Sequence, residues 1–379
     1  MATENKPAAL PQLVLNPQER IPILKTQTHH TEPEPTLPIR KSNTHPLESN
    51  FPPLSSEENG TDGSVFFIGT ATTVISYNGI RILTDPNFLH AGDHVHLGPG
   101  VTATRLTNPA VPNLASLPPV DVILLSHYHE DHFDRVVEAQ LSRDLPIVTT
   151  PHAKACLTGT GKDEADRFRA VHALDVWEGL LMPVVVPGAA PGVESGGKGV
   201  MKKAPAVKVT AMPGKHVPPG PIGAVNEMLG AVPPTNGWLV ELGYTMAPSM
   251  NETSTTSGDG GFEAGYRIYI SGDTLFVDEL KEIPARLKGD KIDLMLVHLG
   301  GTTVPSPRLP LLMVTMDAKQ GVQLMRLVDP DVTVPIHYDD YDVFMSSLED
   351  FKKEVQAAGL GDRVVFLDRG DEYRLRVKG

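Results

Sequence analysis

A single cysteine, Cys156, stands in a chain of 379 residues, so neither an internal disulfide nor a cysteine-rich zinc knuckle can form. Such sparing use of cysteine fits a reducing compartment, and a cytoplasmic setting is the expectation. Positive charge is also short. Lys and Arg number 33 against 46 Asp and Glu, a net charge of −13, a balance that repels polyanions and argues against a nucleic-acid partner. No stretch approaches the roughly 20 consecutive apolar residues of a membrane-spanning helix. The opening Met1-Ala-Thr-Glu-Asn-Lys-Pro lacks the basic-then-apolar layout of a secretory signal. Glycine is missing before Gly60, where ten prolines occur instead. With no helical or strand periodicity there, residues 1–60 read as an N-terminal arm, extended over a surface or disordered.

Order begins at Ser64, where SVFFIG, TVISYNG and RILTDP read as short strands, the last two joined by Asn78-Gly79, a pair suited to a type I′ turn. Further strands are expected at 120–126, 145–151, 206–213, 237–243, 266–273, 291–300 and 332–338. Helical spacing of apolar residues marks 317–327 and 348–358. Two strand-rich halves with helices outside suggest an αββα sandwich over 61–379, interrupted by flexible insertions near 188–203 and 246–261.

Histidine is plentiful, with 14 residues. The strand at 120–126 runs into Ser126-His127-Tyr128-His129-Glu130-Asp131-His132. Alternate residues share a face, so His127 and His129 can point to one side, while a tight turn brings Asp131 and His132 to a second position nearby. Two metal ions then become plausible, and four ligands are too few for two ions. His216, Asp273 and His337 each lie at or near the end of another expected strand. Imidazole and carboxylate donors without thiolate suit zinc first, with manganese or iron as alternatives.

These motifs resemble the metallo-β-lactamase superfamily, in its lactonase-like branch typified by ascorbate-6-phosphate lactonase and N-acylphosphatidylethanolamine phospholipase D. The stretches Pro213-Gly-Lys-His216-Val-Pro-Pro-Gly220 and Pro335-Ile-His337-Tyr-Asp-Asp-Tyr-Asp342 are most similar to fungal members, which include a lactamase that opens benzoxazolinone. The resemblance implies the αββα fold of this superfamily. It implies two Zn2+ ions, one held by His127, His129 and His216, the other by Asp131, His132 and His337, with Asp273 bridging. Asp85, in Leu83-Thr-Asp85-Pro86, would support a ligating histidine.

Two cations sharing a water make it acidic enough to supply hydroxide at neutral pH. Attack on a carbonyl or phosphoryl centre follows, with Asp131 or Asp273 accepting or relaying the proton. Iron-dependent relatives commonly carry Glu at the position of His129, so the resemblance favours hydrolysis. The expected function is opening of a small cyclic amide or ester, with a phosphodiesterase and a non-catalytic metal scaffold as alternatives. The expected partner is a small molecule. His298, Tyr338 and His96 are the candidate substrate contacts. A hydrogen-bonded core histidine, a packing tyrosine and a mobile polar loop around His94 and His96 are the plainer readings. Cys156 reads as a buried small residue, and Trp177 and Trp238 as core.

Overall fold

The structure is a computed structural model. It describes residues 9–26, 34–45, 60–98, 100–185, 203–218, 220, 223, 226, 232–246, 261–306 and 309–379. The two expected insertions lie outside the described residues, apart from Lys203, Met246 and Gly261 at their ends.

The first half carries strands β1 (Lys41–Asn43), β2 (Gly60–Gly69), β3 (Thr72–Tyr77), β4 (Ile80–Thr84), β5 (His94–His96), β6 (Thr102–Thr104), β7 (Val122–Leu124), β8 (Ile147–Thr149) and β9 (Val171–Ala173). The second carries β10 (Gly179–Pro183), β11 (Lys203–Met212), β12 (Gly237–Met246), β13 (Phe262–Ile270), β14 (Leu294–His298), β15 (Thr303–Ser306), β16 (Leu309–Met313), β17 (Val332–Ile336) and β18 (Asp371–Lys378). Two sheets result, ordered β1-β18-β2-β3-β4-β7-β8-β9 and β10-β11-β12-β13-β14-β17, with β5-β6 and β15-β16 as separate hairpins.

Strand alternation builds three apolar layers from the same residues. Val65, Phe67, Val122 and Leu124 of the first sheet meet Val207, Val240, Leu294 and Leu296 of the second between the sheets. Their neighbours Phe66, Ile68, Ile123 and Leu125 face outward, onto helices α1 (Arg135–Gln140) and α2 (Pro151–Thr158). Met295 and Val297 likewise face α3 (Glu282–Leu287), α4 (Ala318–Val328) and α5 (Leu348–Ala357). This is the αββα sandwich. Each fully buried aliphatic or phenyl side chain contributes about 1.5–3 kcal/mol.

The Asn78-Gly79 turn has φ of 46° and 79°, both positive as a type I′ hairpin requires. Strand β18 lies outside the expected strands, although Tyr373, Leu375 and Val377 alternate cleanly into the core. In the arm, Leu13 and Leu15 donate backbone N–H to Leu181 and Pro183 carbonyls, laying residues 11–15 along the β10 edge. Leu15 is buried in the core between the sheets, and Ile23 further along is buried in the layer of α1 and α2, its carbonyl accepting the Ser142 N–H. Trp238 is core as expected, but Trp177 is half-buried because it packs at the edge of the α3–α5 layer under the Arg286 guanidinium, 4.9 Å from its ring centroid. Cys156 is also half-buried, since its position on α2 keeps it off that helix's inward face of Ala153 and Leu157. Among the described residues no helix is long and apolar enough to cross a membrane.

Strands β4, β7, β8 and β9 are mutually parallel, as are β13, β14 and β17. Their carboxyl ends therefore open together, the usual place for a site in such sheets.

Candidate metal centre

Six of the parallel or central strands deliver polar groups to this rim. Asp85 follows β4, Ser126 to His132 follow β7, His216 follows β11, Asp273 follows β13, His298 closes β14 and His337 follows β17. The backbone is strained at two of them, with φ of 35° at Asp85 and 61° at His337. Such left-handed conformations cost of order 1–3 kcal/mol each and persist only where surroundings enforce them.

Three groups of ligand-capable atoms form among the described residues. His127, His129 and His216 make the first, Asp131, His132, Asp273 and His337 the second, and Asp85, His132 and His298 a third that shares His132 with the second, with the atoms of each group within 4.8 Å of one another. The first and second groups adjoin, since the ring centroids of His127 and His132 are 4.2 Å apart. In the second group, His132 Nε2 lies 3.2 Å from Asp273 Oδ2 and 3.7 Å from Asp131 Oδ2. His337 Nε2 lies 3.5 and 3.6 Å from the same two oxygens. A tetrahedral ion with bonds of about 2.0–2.1 Å has donor–donor edges of about 3.4 Å, which these separations match.

The ring orientations have identifiable causes. His216 Nδ1–H donates to the Val314 carbonyl at 3.0 Å, and His337 Nδ1–H to the Leu299 carbonyl at 2.9 Å. Against Asp85 Oδ2, His132 Nδ1 sits at 3.0 Å. Asp85 also accepts from the Ser126 N–H at 2.7 Å and from the Ser126 hydroxyl at 2.9 Å. With Nδ1 occupied as a donor, the Nε2 of each ring in its neutral form presents a lone pair, the arrangement typical of metal-binding histidine. In the first group His127 Nε2 and His129 Nδ1 face each other at 3.0 Å.

Several of these atoms are buried with no hydrogen-bond partner: His129 Nε2, Asp131 Oδ1 and the Nε2 of His132, His216 and His337. Orphaned polar atoms are costly inside a protein, and so many in one place fit a divalent cation completing them. Nitrogen and carboxylate donors of this kind suit zinc and its first-row neighbours.

Electrostatics divides the groups. Burial holds His127 well below the usual imidazole range and lowers His129 to about 3, with neighbouring imidazoles adding to the effect. His216 and His298 are lowered for the same first reason. At His132 and His337 burial opposes protonation, yet the Asp273 and Asp131 carboxylates outweigh it and raise both. Burial would raise Asp131 and Asp273 as well; the imidazoles beside them prevail, taking Asp131 to about 2 and Asp273 well below the carboxylate range.

A small cleft opens over the centre, lined by His129, Asp131, His216, Asp273, Thr302 and Thr315 with Leu97, Val232 and Val314. The remaining candidates sit elsewhere. His298 is buried beside Asp273, with Nδ1 2.9 Å from Oδ1. Tyr338 packs in the α3–α5 layer and its hydroxyl donates to the Leu367 carbonyl at 3.4 Å, away from the cavity lining. His96 is exposed on the β5–β6 hairpin because alternation turns its neighbour Leu97 toward the cavity instead. Thr315, whose hydroxyl donates to Asp273 Oδ2 at 3.1 Å, carries no sequence signal. Ser126 could have been read from its place beside the histidine motif.

Residues 80–338 match the beta-lactamase superfamily domain. That is more than half of the chain, which belongs to this family. Among curated proteins it is similar to the UPF0173 metal-dependent hydrolase of Methanopyrus kandleri, 21% identical over 313 residues, covering 82% of this chain and 98% of the relative. It is 26% identical to that of Methanosarcina mazei over 153 residues, 38% of this chain and 60% of the relative. The mitochondrial N-acyl-phosphatidylethanolamine-hydrolyzing phospholipase D of Saccharomyces cerevisiae is 33% identical over 138 residues, 35% of this chain. The chain thus spans 60% of the length of the Methanosarcina relative and 27% of the yeast one. Two solved structures share the fold. An isothiocyanate hydrolase from Delia radicum gut bacteria has a TM-score of 0.56 at 16% identity, covering 82% of this chain and 98% of that one. A possible metal-dependent hydrolase from Veillonella parvula has a TM-score of 0.55 at 14% identity, covering 82% and 99%.

Proposed function

We propose that this chain, a metal-dependent hydrolase of the metallo-β-lactamase superfamily, opens a small uncharged cyclic amide or ester, a lactam or lactone such as benzoxazolinone. One observation carries the choice of substrate class. Among the described residues, the cavity over the metal-binding groups has an apolar wall of Leu97, Val232 and Val314 and no Lys or Arg in its lining. A compact neutral ring fits apolar walls above a polar floor, whereas a phosphodiester's charge would be met by the metal ions alone, with no cation side chain beside them.

His127, His129 and His216 would hold one Zn2+, and Asp131, His132 and His337 the other, with Asp273 between them. When bound, such cations supply Lewis-acid polarisation and an acidified water. The chain's own part is placement and proton handling. Asp273 has a neighbour on each oxygen, His298 Nδ1 on Oδ1 and the Thr315 hydroxyl on Oδ2. Asp131 lines the cavity with Oδ1 free of any hydrogen bond. Asp131 Oδ1 is therefore assigned as the acceptor of the proton from the attacking water, and Asp273 as the fixed member of the pair. The Thr302 side chain on the cavity wall orients the carbonyl.

The resemblance to the yeast phospholipase D favours a second reading, hydrolysis of a phosphodiester. A panel of lactones, lactams including benzoxazolinone, and phosphodiesters separates the two. Turnover confined to the cyclic amides and esters supports the first, and turnover confined to the phosphodiesters replaces it with the second.

A further inference from the structure

We propose that His298 is the positioning residue for Asp273, holding one carboxylate oxygen so that the other stays aimed at the cations. This rests on the reading of Asp273 as a ligand given above. The two oxygens of Asp273 have different surroundings. Oδ2 faces His132 Nε2 at 3.2 Å and His337 Nε2 at 3.5 Å, inside the second group of donors. Oδ1 faces away from that group, onto His298 Nδ1 at 2.9 Å.

A carboxylate that ligates through one oxygen can swing about its Cβ–Cγ bond unless the other is tied down. His298 is suited to that task. It is fully buried at the end of β14, and its own backbone N–H donates to the Ser271 hydroxyl at 2.9 Å. Its ring lies nearly parallel to His337, 15° between planes with centroids 5.6 Å apart, and to His132, 19° at 5.9 Å. Those two rings lie on the same side of it, their own centroids 5.1 Å apart, and a ring with no exposure, packed beside them and bonded to Asp273 Oδ1, has no room to turn, so the direction of Nδ1–H is set before any ion arrives. After Leu299 come Gly300 and Gly301 with positive φ of 112° and 55°, turning the chain just beyond the strand. Partners of this kind, one step removed from the ion, typically alter metal affinity 10–100-fold when removed.

The test uses the full-length protein, stripped of metal and titrated with Zn2+ against a chromophoric chelator, as wild type, His298→Phe and His298→Asn. Phe keeps the ring and its volume but removes the donor; the Asn amide places an N–H close to the position of Nδ1. His298→Phe is expected to weaken Zn2+ binding about 10–100-fold, with His298→Asn recovering most of that loss. The visible spectrum of the Co2+-loaded forms should follow the same order. A residue that only fills space would give the reverse order, with Asn the weaker binder. Wild-type affinity in His298→Phe, or an Asn variant no better than Phe, overturns the inference while leaving the ligand reading standing. A wild type that binds no Zn2+ overturns both. Circular dichroism of the metal-free forms checks folding. If the Phe variant is unfolded, His298→Gln, whose amide reaches the Nε2 position instead, is expected to show the same loss, and wild-type affinity in it overturns the inference equally.

Discussion

Arg105 and Asp340 form an ion pair with both side chains fully withdrawn from solvent, Nη2 to Oδ1 being 3.0 Å. The pair continues toward the metal-binding groups. Arg105 Nη1 donates to the Thr70 hydroxyl at 2.6 Å and to Asn87 Oδ1 at 2.9 Å, and Asp340 Oδ2 accepts the Thr70 N–H at 2.8 Å. The Thr70 carbonyl then accepts the N–H of His337 at 2.9 Å. This chain of bonds reaches the strained backbone of His337 directly. Removing Arg105 leaves buried Asp340 with Arg369 as its remaining cation, Nη2 to Oδ1 being 2.9 Å, so Arg105→Met is expected to cost about 1.5–3 kcal/mol, less than the about 3–5 kcal/mol of a buried charge left wholly unpaired. Urea unfolding of the metal-free protein measures it, and a loss below about 1 kcal/mol would show that the pair is not held as described.

Asp85 reaches the metal-binding groups through His132 and, by way of the Ser126 hydroxyl, through His127. Asp85→Ala removes the partner of His132 Nδ1 and of both Ser126 donors. Zn2+ affinity is expected to fall about 10–100-fold while the fold persists. Equilibrium dialysis followed by elemental analysis gives the answer, and unchanged retention of metal would deny Asp85 this supporting part.

Gly300 has φ of 112°, and a Cβ placed there would stand 2.8 Å from the His337 carbonyl oxygen. Gly92 needs a similar φ of 96° but would meet nothing within 4 Å. Both Ala variants carry the cost of a positive φ, on the order of 1 kcal/mol, and only Gly300→Ala adds the clash. Thermal unfolding should therefore rank Gly300→Ala below Gly92→Ala, with the larger loss of bound metal. Equal stability in the two would remove the steric argument.

Metal loading is expected to release protons near neutral pH. The carboxylates of Asp273 and Asp131 raise His132 and His337 against the effect of burial, so in the metal-free protein both rings keep their protons to higher pH than a free imidazole does. For a raised imidazole, the stabilisation is complete below the ordinary value of about 6.5 and is lost as pH rises through the raised one. The ion takes over that stabilisation, displacing the protons, and its affinity falls as pH falls. His129, lowered to about 3 with burial the leading cause, contributes none of these protons. An indicator dye in weak buffer detects the release during Zn2+ titration; no release would contradict the raised values.

Residues whose chemistry repeats at short spacing were legible in the sequence. His127, His129, Asp131 and His132 sit in one turn after a strand, and His216, Asp273 and His337 stand at the ends of runs whose apolar character marks them as buried strands. The αββα layering followed from the same runs. What could not be read depends on contacts between distant segments. Thr315 meets Asp273 across 42 positions, and Arg105 meets Asp340 across 235. Neither local propensity nor periodicity encodes such pairings. The hairpin at His96 shows a subtler limit: its residues were visible, but which face of the ribbon met the cavity required the register His94↔Thr104 and the packing of Val95 and Leu97 beneath. Strand β18 was readable by its alternation and needed only the same test applied to the last residues.

The central claim is that the first and second groups of side chains hold a pair of ions that the reaction needs. Elemental analysis of the Zn2+-loaded protein, coupled to lactone and lactam hydrolysis by the wild type and by His129→Ala, tests it most directly. About two ions per chain and turnover in the wild type, with reduced metal and no turnover in His129→Ala, are the expected results. Undiminished turnover in His129→Ala would contradict the claim.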